Sequence, residues 1–194
     1  VGKMQTGDQG VPDLFMTCDA SYLDMIQKKM GNPFGPDVRL SSTRIVMLVA
    51  KGNPMEIQSL KDLGNPGLRV GTTDPKASTL GAMSHQLIRE TGQFDAVKEN
   101  IVMMADTAHT LVQTMEAGEQ LDVAMVYEAN VQHLNGSFEF VPLENDYAIA
   151  VQNVAANKTT IYPNLATRLM ERLGSITSRR RFEQLGFQWE ADSE

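Results

Sequence analysis

The sequence has little cysteine and no long apolar segment. Cys18 is the single cysteine among 194 residues, so an internal disulfide framework is excluded. The longest unbroken apolar run, Ile45 to Ala50, is far shorter than the roughly 20 residues that span a bilayer, and no membrane anchor is predicted. No basic segment followed by an apolar one stands at Val1, so we expect any export signal to have been removed or never to have been present.

Basic charge is also scarce. The chain carries 24 acidic and 17 basic side chains, which gives a formal net charge of −7. Both signs are spread along the sequence, which leaves no broad basic surface for a phosphate backbone. Nucleic acid is therefore excluded as a partner. The hydrophobic content of 42% is enough for the core of one large domain or two small ones.

Segments typical of strands alternate with segments typical of helices. Short runs of β-branched and apolar residues predict strands, and apolar side chains three and four residues apart predict helices. This alternation predicts an α/β fold. The predicted strands are 13–18, 44–51, 69–72, 101–104, 123–127, 138–142 and 147–151, and the predicted helices are 21–30, 57–63, 78–91, 107–117, 164–173 and 175–185.

Two of the predicted strands divide the chain into lobes. The continuous apolar run of residues 44–51 predicts a strand buried on both faces, which crosses from one lobe to the other. Residues 147–151 predict the return crossing. We therefore expect an outer lobe formed by residues 1–50 and 148–194, a second lobe formed by residues 51–147, and a ligand cleft between them.

The sequence shows no constellation typical of an enzyme or a metal centre. His85, His109 and His133 stand 24 residues apart, and none has a partner at metal-ligand spacing, so no metal site is predicted. We expect His85 at the surface or boundary of its helix, and His109 near a helix start where it could approach an anion. Cys18 is expected to pack inertly at the end of a buried strand. We predict no catalytic residue.

Two strands run into a polar turn that opens a helix, at residues 72–81 and 104–109. Helix N-termini carry unpaired N–H groups and a partial positive charge, so two of them facing one cleft can hold an oxyanion. Ordinary helix capping explains the same residues, and the pattern alone leaves both interpretations open.

Four stretches of the chain carry a resemblance to a known family. They are Pro12–Asp19, Met47–Pro54, the turn from Asp74-Pro75 to Gly81, and Met115–Glu119 leading to Asp122 and Val126-Tyr127. Together with the closing Leu185-Gly186-Phe187, they resemble the molybdate-binding proteins of bacterial ABC transporters. The resemblance implies the two-lobed type 2 periplasmic binding-protein fold, an α/β fold of mixed sheets with flanking helices, here lacking the amino-terminal strand-helix-strand.

The resemblance also implies a ligand and a set of site residues. The ligand is a tetrahedral oxyanion, molybdate or tungstate before others, held by hydroxyl and backbone N–H groups with no cofactor. The matching positions are Leu80, either Thr107 or Ala108, and Tyr127, whose hydroxyl would reach the anion. Leu80 replaces the usual small residue of the family, and an extra residue near 120–121 leaves the choice between Thr107 and Ala108 open. Tyr127 has an alternative role as a strand-end tyrosine that caps the core.

The implied function is that of a periplasmic or extracytoplasmic solute-binding protein that delivers the anion to an ABC permease and does no chemistry. The missing first strand leaves an open sheet edge, through which we expect a homodimer. Three alternatives stay open. The same fold could bind sulfate, ferric iron or an organic anion, it could be a sensory domain, or it could be an enzyme with Asp19, Asp74 or Asp106 as acid or base.

Overall fold

The computed structural model describes residues 10–19, 21–118, 120–134 and 136–191, and these residues form two units. Unit 1 takes the chain up to Ser42 and from Ala150 onward, and unit 2 is Thr43–Ile149. The divisions fall at 42/43 and 149/150, where the sequence predicted 50/51 and 147/148. Glu119, in the fourth stretch of the resemblance, lies outside the described residues.

Unit 1 is built on two long strands that are distant in sequence. Strand β7 lies between β1 and the first part of β2, and β1 runs antiparallel to β7 with Leu14 opposite Ala156. Its small core joins Ile26, Phe34 and Ala155. The elements are β1 (Leu14–Thr17), α1 (Ser21–Met30), β2 (Phe34–Ala50), β7 (Ile149–Asn157), α5 (Pro163–Leu173), α6 (Ile176–Gln184) and β8 (Gln188–Trp189).

Unit 2 contains the parallel strands of the fold. Strand β3 lies between β4 and β5 and is parallel to both, whereas β2 is antiparallel to β5 and to β6. The strands are β3 (Val70–Thr73), β4 (Ile101–Ala105), β5 (Val123–Tyr127) and β6 (Phe138–Pro142). Because β3, β4 and β5 run in one direction, their carboxyl ends meet at one edge of the sheet.

Helices cover both faces of this sheet. Successive side chains of β2 alternate between two core clusters, one containing Met47 and the other Leu48. Helix α2 packs into the first cluster through Leu80, Leu87 and Ile88, and α4 packs into the second through Leu111, Val112 and Met115. The helices of unit 2 are α2 (Thr79–Glu90), α3 (Phe94–Asn100) and α4 (Ala108–Glu116), with 3-10 helices at Leu60–Gly64, Glu128–Asn130 and Asp146–Ala148.

Some elements differ from the sequence prediction. Strand β2 begins at Phe34 and not near residue 44, and the helix expected at 57–63 is a 3-10 helix of Leu60–Gly64. Helix α3 and strand β8 were not predicted, because seven residues with few apolar side chains and a two-residue strand give no periodic signal. The strand expected at 147–151 starts at Ile149 and continues to Asn157.

Two single-residue expectations are wrong. Cys18 was expected at the end of a buried strand, but it is exposed. The strand before it, β1, is short and has no second neighbour among the described strands. His85 is only 7% exposed and lies on the inner face of α2 beside the fully buried Ser84. Within the described ranges, no helix has the length and apolar character needed to cross a bilayer.

Candidate functional site

Polar turns follow all three parallel strands of unit 2 where those strands end. Strand β3 leads into Asp74–Ser78, β4 into Asp106-Thr107 and β5 into Glu128–Asn130. We call these three turns, with Tyr127 and the first residues of α2 and α4, the polar edge. Helices α2 and α4 start at the polar edge and pack on opposite faces of the sheet. Ligands of open α/β sheets bind at such an edge.

The first turn of α2 is fixed by a network around Ser78. The Asp74 carbonyl accepts hydrogen bonds from the N–H groups of Ala77 and Ser78 at 3.2 and 2.9 Å. Ser78 Oγ then caps the helix by accepting from the Gly81 N–H at 3.4 Å. Leu80 is the second residue of the helix, and its side chain is buried in the core at 2% exposure. At this position the Leu80 N–H has no acceptor within the helix.

The first turn of α4 separates the roles of Thr107 and Ala108. Thr107 is the N-cap residue, and its hydroxyl oxygen accepts from the Thr110 N–H at 3.2 Å while also sharing a hydrogen bond with Thr110 Oγ1 at 2.9 Å. The Thr107 hydroxyl is thus engaged in capping. Ala108 is the first helical residue, is half-buried, and packs against both core clusters. Its N–H points out of the helix start, where no intrahelical acceptor exists.

Tyr127 ends β5 at the same edge. It stands opposite Ile45 of β2, and its backbone N–H donates to Asn130 Oδ1 at 3.2 Å. The side chain is half-buried, and it packs against the core cluster that contains Leu80. The structure therefore brings Leu80, Ala108 and Tyr127 onto one cluster, with Thr107 exposed beside them.

The two helix starts at the polar edge present donors that suit an anion. Backbone N–H groups at two helix starts present partial positive charge. The Asp74 carboxylate accepts from the Lys76 N–H at 2.8 Å and so belongs to the turn itself. In the described part of the chain, no three histidine, cysteine or acidic side chains are grouped so that they could hold a metal ion.

An ion pair at the opposite end of the strands holds β3 and β5 together. Asp122 precedes β5 and accepts hydrogen bonds from the backbone N–H, Nε and Nη2 of Arg69 at 2.8, 3.1 and 2.6 Å. These bonds lower the pKa of the Asp122 carboxyl. The pairing of Arg69 with Asp122 was not predicted, because partners 53 positions apart leave no local signal in the sequence.

Cys18 and His85 both have pKa values displaced from their ordinary range. Partial desolvation and the neighbouring Asp19 raise the pKa of the Cys18 thiol, which disfavours the thiolate that a nucleophile needs. Burial, helped by Arg89, lowers the pKa of His85, while Asp74 opposes this shift. The His85 ring lies on the inner face of α2 and meets the Phe94 ring edge-on, with the two ring centroids 5.8 Å apart.

Comparisons with known proteins agree with this architecture. The model of the family described as bacterial extracellular solute-binding protein matches residues 2–188. The molybdate-binding protein ModA of Mycobacterium tuberculosis is 26% identical over 182 residues, which cover 90% of this chain and 65% of ModA. The chain thus spans less than two thirds of that relative's length.

Two solved structures share the fold at low sequence identity. The periplasmic molybdate-binding protein of Azotobacter vinelandii has a TM-score of 0.75 and 17% identity, with 99% of this chain and 83% of that chain covered. A periplasmic thiamin binding protein has a TM-score of 0.77 and 15% identity, with 100% and 70% covered. The predicted α/β periplasmic binding-protein fold, with mixed sheets and flanking helices, is confirmed. Since the family model covers nearly all of the sequence, the chain belongs to the bacterial extracellular solute-binding protein family.

Proposed function

We propose that the polar edge of unit 2 binds a tetrahedral oxyanion, molybdate or tungstate, which the protein captures in the periplasm and delivers to an ABC permease. The observation that carries this proposal is the start of α2 and α4 at one edge of three parallel strands. Leu80 is the second residue of α2 and Ala108 is the first residue of α4. At these positions the helix offers the backbone N–H no acceptor.

The chemistry of these donors fits an oxyanion. A hydrogen bond to a charged acceptor contributes about 1.5–3 kcal/mol, so a few neutral donors can hold an anion without a cationic side chain. The partial positive charge of each helix start adds to this attraction. Selectivity then depends on the spacing of the donors, which favours an anion of one size. The 26% identity to ModA of Mycobacterium tuberculosis supports molybdate as that anion.

We assign the second donor to Ala108 and the third to Tyr127. The Thr107 hydroxyl is engaged with Thr110, which favours the Ala108 N–H over the Thr107 side chain. The Tyr127 side chain packs against the core cluster that contains Leu80, and its hydroxyl would donate a hydrogen bond to the anion.

Thermal unfolding with added anions tests the ligand. A ligand at 100 times its dissociation constant adds about 2.7 kcal/mol of apparent stability. We expect a higher unfolding midpoint with molybdate and tungstate, and no shift with sulfate, phosphate or thiamin. A shift with sulfate or phosphate of equal size would contradict the proposed selectivity, and no shift with any anion would contradict the proposal as a whole.

Paired variants test the residues. Tyr127→Phe removes the proposed donor, and Tyr147→Phe makes the same change at a side chain that is 72% exposed. Ala108→Leu places bulk at the helix start, and Ala82→Leu does so on the exposed side of α2. We expect Tyr127→Phe to weaken molybdate binding about tenfold, the loss of one hydrogen bond to a charged group. Ala108→Leu keeps the backbone N–H but should also weaken binding, because the added bulk crowds the approach of the anion. Tyr147→Phe and Ala82→Leu should leave binding unchanged. Equal affinities within each pair would contradict the assignment.

Delivery to a permease and self-association need separate tests. Stimulation of the ATPase of a molybdate permease in vesicles by the anion-loaded protein, and not by the Tyr127→Phe variant, would support delivery. Light scattering on the purified chain tests the homodimer, which stays a prediction.

A further inference from the structure

Gly81, the third residue of α2, lies directly on the backbone at the end of β3. A methyl group on its Cα would stand 2.4 Å from the Thr73 carbonyl oxygen and 2.6 Å from both the carbonyl carbon and the oxygen of Asp74. Cβ atoms do not approach other atoms this closely, and backbone atoms cannot rotate aside as a side chain does. The first turn of α2 can therefore pack directly against the backbone of Thr73 and Asp74 only because residue 81 has no side chain.

The glycine is required here for space and not for backbone freedom. Its φ lies outside the left-handed region that favours glycine. In a helix, glycine costs about 1 kcal/mol relative to alanine, so helix propensity alone favours alanine at this position. The contact with Thr73 and Asp74 opposes that preference.

The surrounding bonds tie this contact to the polar edge. The Asp74 N–H donates to the Ala105 carbonyl at 3.1 Å, which joins the turn to the end of β4. Thr73 Oγ1 donates to Ser78 Oγ at 3.1 Å, and Ser78 Oγ accepts from the Gly81 N–H. The Leu80 N–H adjoins Gly81 in the chain, so any shift of the turn away from β3 moves that donor.

We infer that Gly81 is a positioning residue of the anion site, acting through the Leu80 N–H without touching the ligand. This inference rests on the proposed function. It assigns the placement of one donor to the close approach of Gly81 to the Thr73 and Asp74 backbone, which any side chain at position 81 would prevent.

Gly71 of β3 supplies a matched control. A methyl group there would meet Leu121 Cδ1 at 2.6 Å and Leu111 Cδ2 at 3.0 Å. Both atoms are ends of flexible side chains in the core under α4, so they can move. Gly71→Ala should therefore reduce stability without moving the start of α2.

The experiment compares the wild-type chain with Gly81→Ala and Gly71→Ala. Calorimetric titration with sodium molybdate gives the affinity at a temperature where circular dichroism shows each protein folded, and urea denaturation gives the stability. We expect Gly81→Ala to weaken molybdate binding about tenfold or more, the loss of one hydrogen bond to a charged acceptor, and Gly71→Ala to change it less than about twofold. Equal effects of the two variants on affinity, or full affinity in Gly81→Ala, would overturn the inference.

Amide hydrogen exchange gives a readout that needs no ligand. We expect faster exchange at residues 78–82 in Gly81→Ala and unchanged exchange there in Gly71→Ala. Unchanged exchange in Gly81→Ala would overturn the inference even if the affinity falls.

If the wild-type chain binds neither molybdate nor tungstate, the proposed function fails, and exchange at 78–82 still decides the positioning role. If Gly81→Ala does not fold, Ser78→Ala serves in its place, since it loosens the same turn without added volume and should raise exchange and weaken binding in the same direction.

Discussion

Replacing Asp122 with alanine should destabilise unit 2 strongly at neutral pH. Its carboxylate accepts three hydrogen bonds from Arg69, one of them from the backbone N–H at 2.8 Å. The Asp122 side chain is 13% exposed and that of Arg69 is 43% exposed. Solvent therefore screens the guanidinium part, which we count as an exposed pair worth at most about 1 kcal/mol. The backbone N–H bond to a mostly buried carboxylate adds about 1.5–2 kcal/mol, so we expect Asp122→Ala to cost about 1.5–3 kcal/mol.

The penalty should depend on pH in a defined direction. Arg69 lowers the pKa of Asp122 in the folded protein, so the carboxylate stabilises the fold fully above the ordinary aspartate pKa of about 3.9. This stabilisation is lost as the pH falls through the lowered value. The difference between wild type and Asp122→Ala should therefore shrink in strongly acidic solution.

Urea denaturation followed by circular dichroism measures the penalty, and hydrogen exchange at 69–73 and 123–127 localises it to β3 and β5. Glu183→Ala is the control, since it removes the exposed Arg179–Glu183 pair of 2.9 Å and should cost less than about 0.5 kcal/mol. A penalty for Asp122→Ala no larger than that of the control at neutral pH would show that the Arg69–Asp122 pair does not hold β3 and β5 together. A penalty that stays constant into strong acid would show that the carboxylate charge does not contribute to it.

Three further outcomes are expected. Because burial lowers the pKa of His85, the stability that its neutral ring contributes should be full above about pH 6.5 and should be lost as the pH falls below that value. The thermal unfolding midpoint of His85→Gln should therefore depend less on pH in that range than the midpoint of the wild-type chain. Asn100→Ala should cost about 1–3 kcal/mol in urea denaturation, because the buried Asn100 Nδ2 donates to the carbonyls of Leu63 and Asn65 at 2.8 and 2.7 Å. Cys18 should react with a thiol reagent in the folded protein, but more slowly than in urea because its pKa is raised in the folded state, and complete protection of the thiol would contradict its exposure.

Local sequence patterns predicted the parts of the fold whose burial is uniform or periodic. The apolar run of β2 from Ile45 to Val49 is buried on both faces, and β5 has the predicted bounds Val123–Tyr127. The first half of β2 carries polar side chains whose partners lie far away in sequence. Ser41 Oγ donates to Gln152 at 2.8 Å and Ser42 Oγ to Glu190 at 2.6 Å. No local pattern encodes such pairs, so this half was missed.

The candidate site could likewise be predicted only in part from local sequence. The turns at 72–81 and 104–109 could be recognised from their strand-to-helix pattern, but the role of each atom depends on geometry. Thr107 and Ala108 are neighbours in sequence, and only the structure shows that the Thr107 hydroxyl is engaged with Thr110. The sequence predicts His85 at the surface or boundary of its helix because polar side chains on amphipathic helices usually lie there, whereas the structure places it on the buried face.

Backbone amide shifts during a molybdate titration show directly whether an oxyanion binds at the polar edge. In the ¹H–¹⁵N spectrum of the chain, we predict the largest shifts at the amides of Leu80 and Ala108, with smaller ones at Tyr127, and the same pattern with tungstate. Shifts of equal size with sulfate, shifts centred away from the starts of α2 and α4, or no shift at millimolar molybdate would contradict an oxyanion site at the polar edge.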